Sequence, residues 1–166
     1  ASTGALGHGF PFGVGMALAG KMDGRPYRTF VLLGDGECQE GTIWEAALFA
    51  PQQKLDNLVA IVDYNKLQAL DRLEKIVSLE PLAEKWRSFG WAVREVDGHD
   101  IGQLAETFIA VPFVKDKPSM VIAHTIKGKG ISFMENVPIW HYRMPNEQEM
   151  KIACAELGLA ENLVGA

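Results

Sequence analysis

Thr29-Phe30-Val31-Leu32-Leu33-Gly34-Asp35-Gly36 decides the fold. Residues 29–33 are β-branched and apolar, the pattern of a strand buried on both faces of a parallel sheet. The glycines flanking Asp35 let the backbone turn sharply and come close to a ligand. A helical pattern follows over 42–52. A second apolar run, Leu58-Val59-Ala60-Ile61-Val62, then leads into Asp63-Tyr64-Asn65-Lys66-Leu67-Gln68. Strand, helix and strand make a βαβ unit that delivers Asp35 and Asn65 to the same edge of a parallel sheet. One hard carboxylate and one amide oxygen at two strand ends are a start on an oxygen-ligated divalent cation. The alternative for Asp35 is a turn-forming residue between glycines.

Working outward, residues 13–20 read as a small-residue helix able to pack closely on a sheet, and Asp23-Gly24-Arg25-Pro26 as a turn. Apolar residues at helical spacing over 81–89 end at Gly90, a natural C-cap. A third strand is expected over 92–96, a helix over 101–111 and a fourth strand over 120–125. The turn Lys127-Gly128-Lys129-Gly130 opens an irregular segment through Pro145, after which Asn146 caps a last helix reaching about Leu157. Strands alternating with helices predict an α/β fold: a parallel sheet with helices on both faces and ligands at the carboxyl ends of its strands.

A chain of 166 residues, 48% of them hydrophobic, is expected to form one domain over 1–166 with a single core. The net charge of −5, with no Lys/Arg stripe, argues against nucleic acid as a partner. An acidic protein still binds phosphates when a metal ion supplies positive charge. Cys38 and Cys154 are too few for a disulfide framework and match no zinc spacing, so they read as reduced cytosolic thiols. No apolar run approaches the roughly 20 residues of a membrane span and no signal peptide is visible, which predicts a cytoplasmic protein. The chain opens without Met inside Ser2-Thr3-Gly4-Ala5-Leu6-Gly7-His8-Gly9, an interior-looking motif. The expectation is that an N-terminal segment of the domain precedes it.

Gly34-Asp35-Gly36 with Asn65 beyond it resembles the cofactor motif of thiamine diphosphate enzymes. The wider match is to the transketolase family, in particular the N-terminal subunit of split transketolases. It is carried by the opening motif through Gly9, by Gly34-Asp35-Gly36-Glu37-Cys38-Gln39-Glu40-Gly41 with Trp44-Glu45-Ala46-Ala47, and by Asp63-Tyr64-Asn65-Lys66-Leu67-Gln68. Leu79-Glu80-Pro81-Leu82, Phe89-Gly90-Trp91, Val96-Asp97-Gly98-His99-Asp100 and His124-Thr125-Ile126-Lys127-Gly128-Lys129-Gly130 continue it, so the resemblance covers nearly the whole chain.

The resemblance implies that Asp35, the Asn65 side-chain oxygen and the Leu67 main-chain carbonyl ligate Mg²⁺ (or Ca²⁺). Two diphosphate oxygens and a water would complete an octahedron. It implies cofactor contacts from Gly4 and Leu6, from Gly34, and from Gly36 through its N–H. Gly7 and Gly9 belong to the same cofactor edge, with an ordinary turn as the alternative. Glu40 would hydrogen-bond to the glutamate that activates the cofactor, a residue of a different, pyrimidine-binding domain; a helix-capping carboxylate is its alternative. Glu45 could join that network or lie on the helix surface. His141, in Val137-Pro138-Ile139-Trp140-His141, would approach the diphosphate and the reacting carbon and move protons there. The family's Gly after this His is Tyr142 here, which bears on the loop's backbone freedom. His8 is either a cofactor-loop residue or packing, while His99 and His124 read as structural.

The reaction implied is reversible transfer of a two-carbon ketol unit between sugar phosphates. It requires a partner chain, the pyrimidine-domain (C-terminal) transketolase subunit, in a hetero-oligomer built on a dimer. Two alternatives remain. One is another thiamine diphosphate enzyme, deoxyxylulose-phosphate-synthase-like or 2-oxo-acid dehydrogenase-like. The other is a non-catalytic remnant module.

Overall fold

The computed structural model describes residues 4–159, so Ser2 and Thr3 of the opening motif lie outside the described residues. The elements run α1 (Gly9–Met22), β1 (Thr29–Gly34), a 3-10 turn (Gly36–Gln39), α2 (Gly41–Gln52), β2 (Leu58–Tyr64) and the one-turn α3 (Leu73–Ile76). They continue with α4 (Leu82–Ser88), β3 (Ala92–Asp97), α5 (Ile101–Ile109), β4 (Ser119–His124), a second 3-10 turn (Pro138–His141) and α6 (Glu147–Glu156). All four strands are parallel, in the order β1-β2-β4-β3. The expected α/β architecture is present. The helix expected over 101–111 stops at Ile109, because Pro112 disfavours helical backbone in the residue before it. No described helix is long and apolar enough to cross a membrane.

Strand order and handedness explain where the helices lie. The step from β1 to β2 and the longer step from β2 to β3 run in the same direction across the sheet. Their crossovers α2 and α4 accordingly share one face. The step from β3 back to β4 reverses direction, and α5 lies on the other face, as right-handed crossovers require. Alternate strand residues divide between the two layers: Leu58, Ala60 and Val62 face α2 and α4, whereas Val59 and Ile61 face α5. Helix α1 joins the first face. Gly13 makes this possible, since a Cβ there would overlap the Val31 side chain.

The larger core centres on Trp86, fully buried in α4. Its ring lies 5.9 Å from Phe10, 5.3 Å from Trp44 and 5.1 Å from Trp91, centroid to centroid. The run over 29–33 is not buried on both faces as expected. β1 is an edge strand, and Phe30 and Leu32 are 46% and 69% exposed. An apolar run marks a strand but does not record its place in the sheet. Cys38 and Cys154 are free and buried.

The carboxyl end of β2 is tied to the start of α4 through Glu80. The Tyr64 hydroxyl donates to Glu80 Oε1 at 2.6 Å and the Leu82 N–H to Oε2 at 3.0 Å. These bonds, the hydroxyl's first, hold Glu80 below its ordinary value. A carboxylate depressed on folding stabilises the protein above its unfolded pKa, and that contribution disappears as pH falls through the folded one. Tyr64→Phe is therefore expected to flatten part of the loss of Tm between about pH 5 and 3. Thermal melts of both proteins across that window check this; parallel curves would remove the role given to Tyr64.

Candidate functional site

Asp35 and Asn65 stand just past the carboxyl ends of the adjacent strands β1 and β2. This is where the open end of a parallel sheet accepts ligands. Asp35 is 2% exposed and begins the 3-10 turn. Its Oδ1 accepts the Gly36 N–H at 2.7 Å, and its Oδ2 accepts the Lys66 N–H at 2.5 Å. The second bond joins the two strand-end loops directly. Lys66 has φ +66°, a left-handed turn that directs its N–H to the carboxylate while its side chain stays exposed.

The Asn65 amide is oriented from both ends. Its Nδ2 donates to Asp63 Oδ2 at 3.4 Å, and its Oδ1 accepts the Leu67 N–H at 3.0 Å. Asp63 is held in turn by the Thr125 hydroxyl at the end of β4. Leu67 forms an isolated bridge with Arg72 in which Gln68 donates to Asp71 and Leu73 to Lys66. That pattern leaves the Leu67 carbonyl without a hydrogen bond among the described residues. The structure thus gathers Asp35, Asn65 and Leu67, the three expected ligands.

No Lys or Arg among the described residues forms an ion pair with Asp35. Burial first, and then the Asp63 charge, raise its pKa from the ordinary value despite main-chain bonds from Lys66 and Gly36 and the charge of Lys127. A buried carboxylate with no cationic partner is costly until a counter-charge arrives. The Gln68 side chain adds a second unmet demand. It packs where a Gly36 Cβ would point, and its Nε2 is buried with no hydrogen-bond partner among the described residues. Carboxylate, amide oxygen and free carbonyl are hard oxygen donors suited to Mg²⁺, which keeps phosphate and water in its shell. Among the described residues no group of three His, Cys, Asp or Glu side chains offers a different metal site. The residues present fit a magnesium–diphosphate group.

The Gly36 N–H, expected at the diphosphate, donates to Asp35 Oδ1. The helix behind it is a four-residue 3-10 turn, and α2 begins only at Gly41. Glu40 is the exposed N-cap residue of α2, and its side chain makes no capping hydrogen bond. Glu45 is exposed one turn further on. Gly4 and Leu6 are exposed on the opening loop. What holds that loop is Glu37, a residue the sequence did not single out. Its Oε1 accepts the Gly7 N–H at 2.9 Å and its Oε2 the Gly34 N–H at 3.2 Å. The Thr42 hydroxyl donates to the Gly7 carbonyl at 2.8 Å. Gly7 has φ +77°, and a Cβ there would strike Thr42 and Glu40, so glycine is required.

The histidines divide clearly. His99 is structural, its Nε2 accepting the Ile126 N–H at 2.8 Å. His124 is partly exposed at the end of β4 and lies 3.0 Å from Glu95. The His8 Nδ1 lies 3.0 Å from the Leu6 carbonyl. His141 is exposed, and its imidazole makes no hydrogen bond to the Asp35–Leu67 group or to any other described residue. Its neighbour Trp140 anchors the loop, donating to the Phe133 carbonyl at 2.9 Å beneath the Arg143 guanidinium, 4.3 Å from the ring centroid. Tyr142 has φ −138°, a conformation that does not call for glycine.

The chain matches the family described as "Transketolase, thiamine diphosphate binding domain" over residues 1–163. It is 47% identical to an apulose-4-phosphate transketolase subunit of Phocaeicola vulgatus over 156 residues, which are 94% of this chain and 56% of that protein. To the 6-deoxy-6-sulfo-D-fructose transketolase subunit SqwG of Clostridium sp. (strain MSTE9) it is 46% identical, covering 94% and 57%. The chain therefore spans about half the length of these curated relatives. The crystal structure of transketolase from Campylobacter jejuni superposes with a TM-score of 0.90 at 28% identity, over 96% of this chain and 26% of that one. The Pichia stipitis transketolase complex with sedoheptulose 7-phosphate gives 0.86 at 30% identity, over 95% and 25%.

Proposed function

The chain belongs to the transketolase family, as its thiamine diphosphate binding domain, and from that premise we propose that it is the diphosphate- and metal-binding half of a split transketolase. The observation that carries this is Asp35: a buried carboxylate with no cationic partner, bonded to the segment that presents Asn65 and Leu67. Asp35, the Asn65 oxygen and the Leu67 carbonyl hold Mg²⁺, or Ca²⁺ in its place. Thiamine diphosphate, when bound, supplies a nucleophilic carbon and an electron sink for making and breaking a carbon–carbon bond beside a carbonyl. Asp63 keeps the Asn65 amide turned so that its oxygen remains a donor to the metal. Gly4, Leu6, Gly34 and Gly36 border the cofactor, with the opening loop braced by Glu37.

Glu40, exposed and uncapped, faces outward to the pyrimidine domain of a partner chain and holds the proton relay that starts there. His141 exchanges protons at the substrate's reacting end, its loop fixed by Trp140. The substrates on this reading are sugar phosphates, and the two buried free thiols support a reducing, cytoplasmic setting. The names of the relatives point to variation in the sugar. The donor set at Asp35 is intact, which argues against a non-catalytic remnant.

The test is a reconstituted pair: this chain in its full-length subunit with the pyrimidine-domain subunit, thiamine diphosphate and Mg²⁺. Ketol transfer from xylulose 5-phosphate to ribose 5-phosphate is expected, with Glu40→Gln lowering kcat at least about tenfold while cofactor affinity holds. No transfer from any ketose phosphate despite bound cofactor would end the sugar-phosphate reading.

A further inference from the structure

We propose that the Gln68 side chain binds the cofactor's diphosphate, its Nε2 donating a hydrogen bond to one of the phosphate oxygens. The assignment rests on the proposed function, since it takes the group held at Asp35 to be a magnesium–diphosphate. Its basis is a donor that the fold buries and does not satisfy. Gln68 is partly exposed as a residue, yet its Nε2 is buried and has no hydrogen-bond partner among the described residues. A buried donor left unpaired costs more than an ordinary hydrogen bond gains. Native folds keep such groups few, and a bound ligand is one way to pair them.

Position separates this amide from the other buried, unpartnered side-chain atoms among the described residues. Those are Thr29 Oγ1, Asn57 Oδ1 and Trp86 Nε1. Thr29 opens β1 and Asn57 immediately precedes β2, so both lie at the amino ends of strands. Trp86 is enclosed by the rings of Phe10, Trp44 and Trp91. Gln68 alone follows the carboxyl end of a strand, β2, where a parallel sheet accepts ligands.

Local structure places the amide between the two loops that hold the metal. The Gln68 N–H donates to the Asp71 carbonyl at 2.9 Å, within the turn closed by the Leu67–Arg72 bridge. From that anchor the side chain lies against Gly36. A Cβ on Gly36 would stand 3.1 Å from the Gln68 Cγ, 3.2 Å from its Cδ and 3.4 Å from its Nε2. Glycine at 36 is what admits this close approach. The amide thus touches the turn that begins at Asp35, while its main chain continues directly from Leu67. A diphosphate that shares oxygens with a metal on Asp35 and Leu67 comes to the same place. The Gly36 N–H is engaged by Asp35 Oδ1 at 2.7 Å, so Gln68 Nε2 is the uncommitted donor beside it. Being neutral, it adds a hydrogen bond and leaves the charge balance to the metal.

The test uses the full-length subunit paired with the pyrimidine-domain subunit. Isothermal titration measures thiamine diphosphate with Mg²⁺ and, separately, magnesium pyrophosphate; thermal melts follow the cofactor-free pair. Gln68→Leu is expected to weaken both ligands by about 10- to 100-fold, the worth of one hydrogen bond to a charged group. Its cofactor-free melting temperature should stay the same or rise, because the unpaired donor is gone. Gln68→Glu keeps the shape, replaces the donor by a carboxylate and should weaken binding at least as much. Wild-type affinity in either variant overturns the proposal. So does a fall in the cofactor-free melting temperature of Gln68→Leu, which would assign the amide to the fold. A loss confined to thiamine diphosphate, with pyrophosphate unaffected, also overturns it by placing the amide against the thiamine moiety. Failure of the wild-type pair to bind thiamine diphosphate with Mg²⁺ defeats the proposed function and this assignment together, whereas normal wild-type binding with unaffected variants defeats the assignment alone.

Discussion

Asp35→Asn is expected to abolish Mg²⁺-dependent thiamine diphosphate binding, weakening it by at least about 100-fold, while the cofactor-free protein stays folded with a modest loss of stability. Residues that merely orient a metal ligand typically cost 10- to 100-fold in affinity, and Asp35 is proposed as the ligand and sole carboxylate of the set. The fold loses much less. Asparagine keeps one acceptor for the Gly36 or Lys66 N–H and misdirects an amine at the other, a loss of about 1–3 kcal/mol. Removing a carboxylate whose charged form is disfavoured by burial offsets part of that. Isothermal titration and thermal melts separate the two effects. Wild type should gain stability with Mg²⁺ and cofactor, about 2.7 kcal/mol at a ligand concentration 100 times Kd, and the variant should gain none. An unchanged metal-dependent shift in Asp35→Asn would exclude Asp35 as a ligand.

The largest effect on the fold is expected at Trp86. Truncation to alanine removes a fully buried ring that touches Phe10, Trp44 and Trp91 and bridges α1, α2 and α4. Such deletions cost about 3–5 kcal/mol, a large share of the 5–15 kcal/mol of a typical domain. The Trp86 Nε1 is buried without a hydrogen-bond partner among the described residues. Trp86→Phe therefore forfeits packing volume only and should cost well under half as much. Urea denaturation of both variants measures the difference, and equal losses would mean that the indole nitrogen has a partner after all.

The strands were legible because each is a run of apolar residues ended by a turn signal. The helix ends were legible from Gly90 and from Asn146, whose capping box with Glu149 is present in the structure. Asp35 and Asn65 stood out because polar donors beside apolar runs are conspicuous. Glu37 and Asp63 were passed over for the opposite reason. Each is one more acidic residue near a loop, and its role appears only when distant segments bring Gly7 and Thr125 to it. Leu67 could be named only by resemblance, since every residue type has a carbonyl. Its lack of a hydrogen bond follows from the bridge with Arg72.

By itself the sequence determined the alternation of strand and helix, the family, and which residue types are proposed to bind a magnesium–diphosphate group. These depend on local periodicity and side-chain chemistry. The tertiary structure alone decided the order β1-β2-β4-β3, and with it that the run from Thr29 lies at the edge of the sheet formed by the described residues. It also decided that Asp35 is buried without a cation and bonded to the Asn65–Leu67 loop. Strand order and burial are set by which segments meet in space, so no window of sequence around a residue contains them.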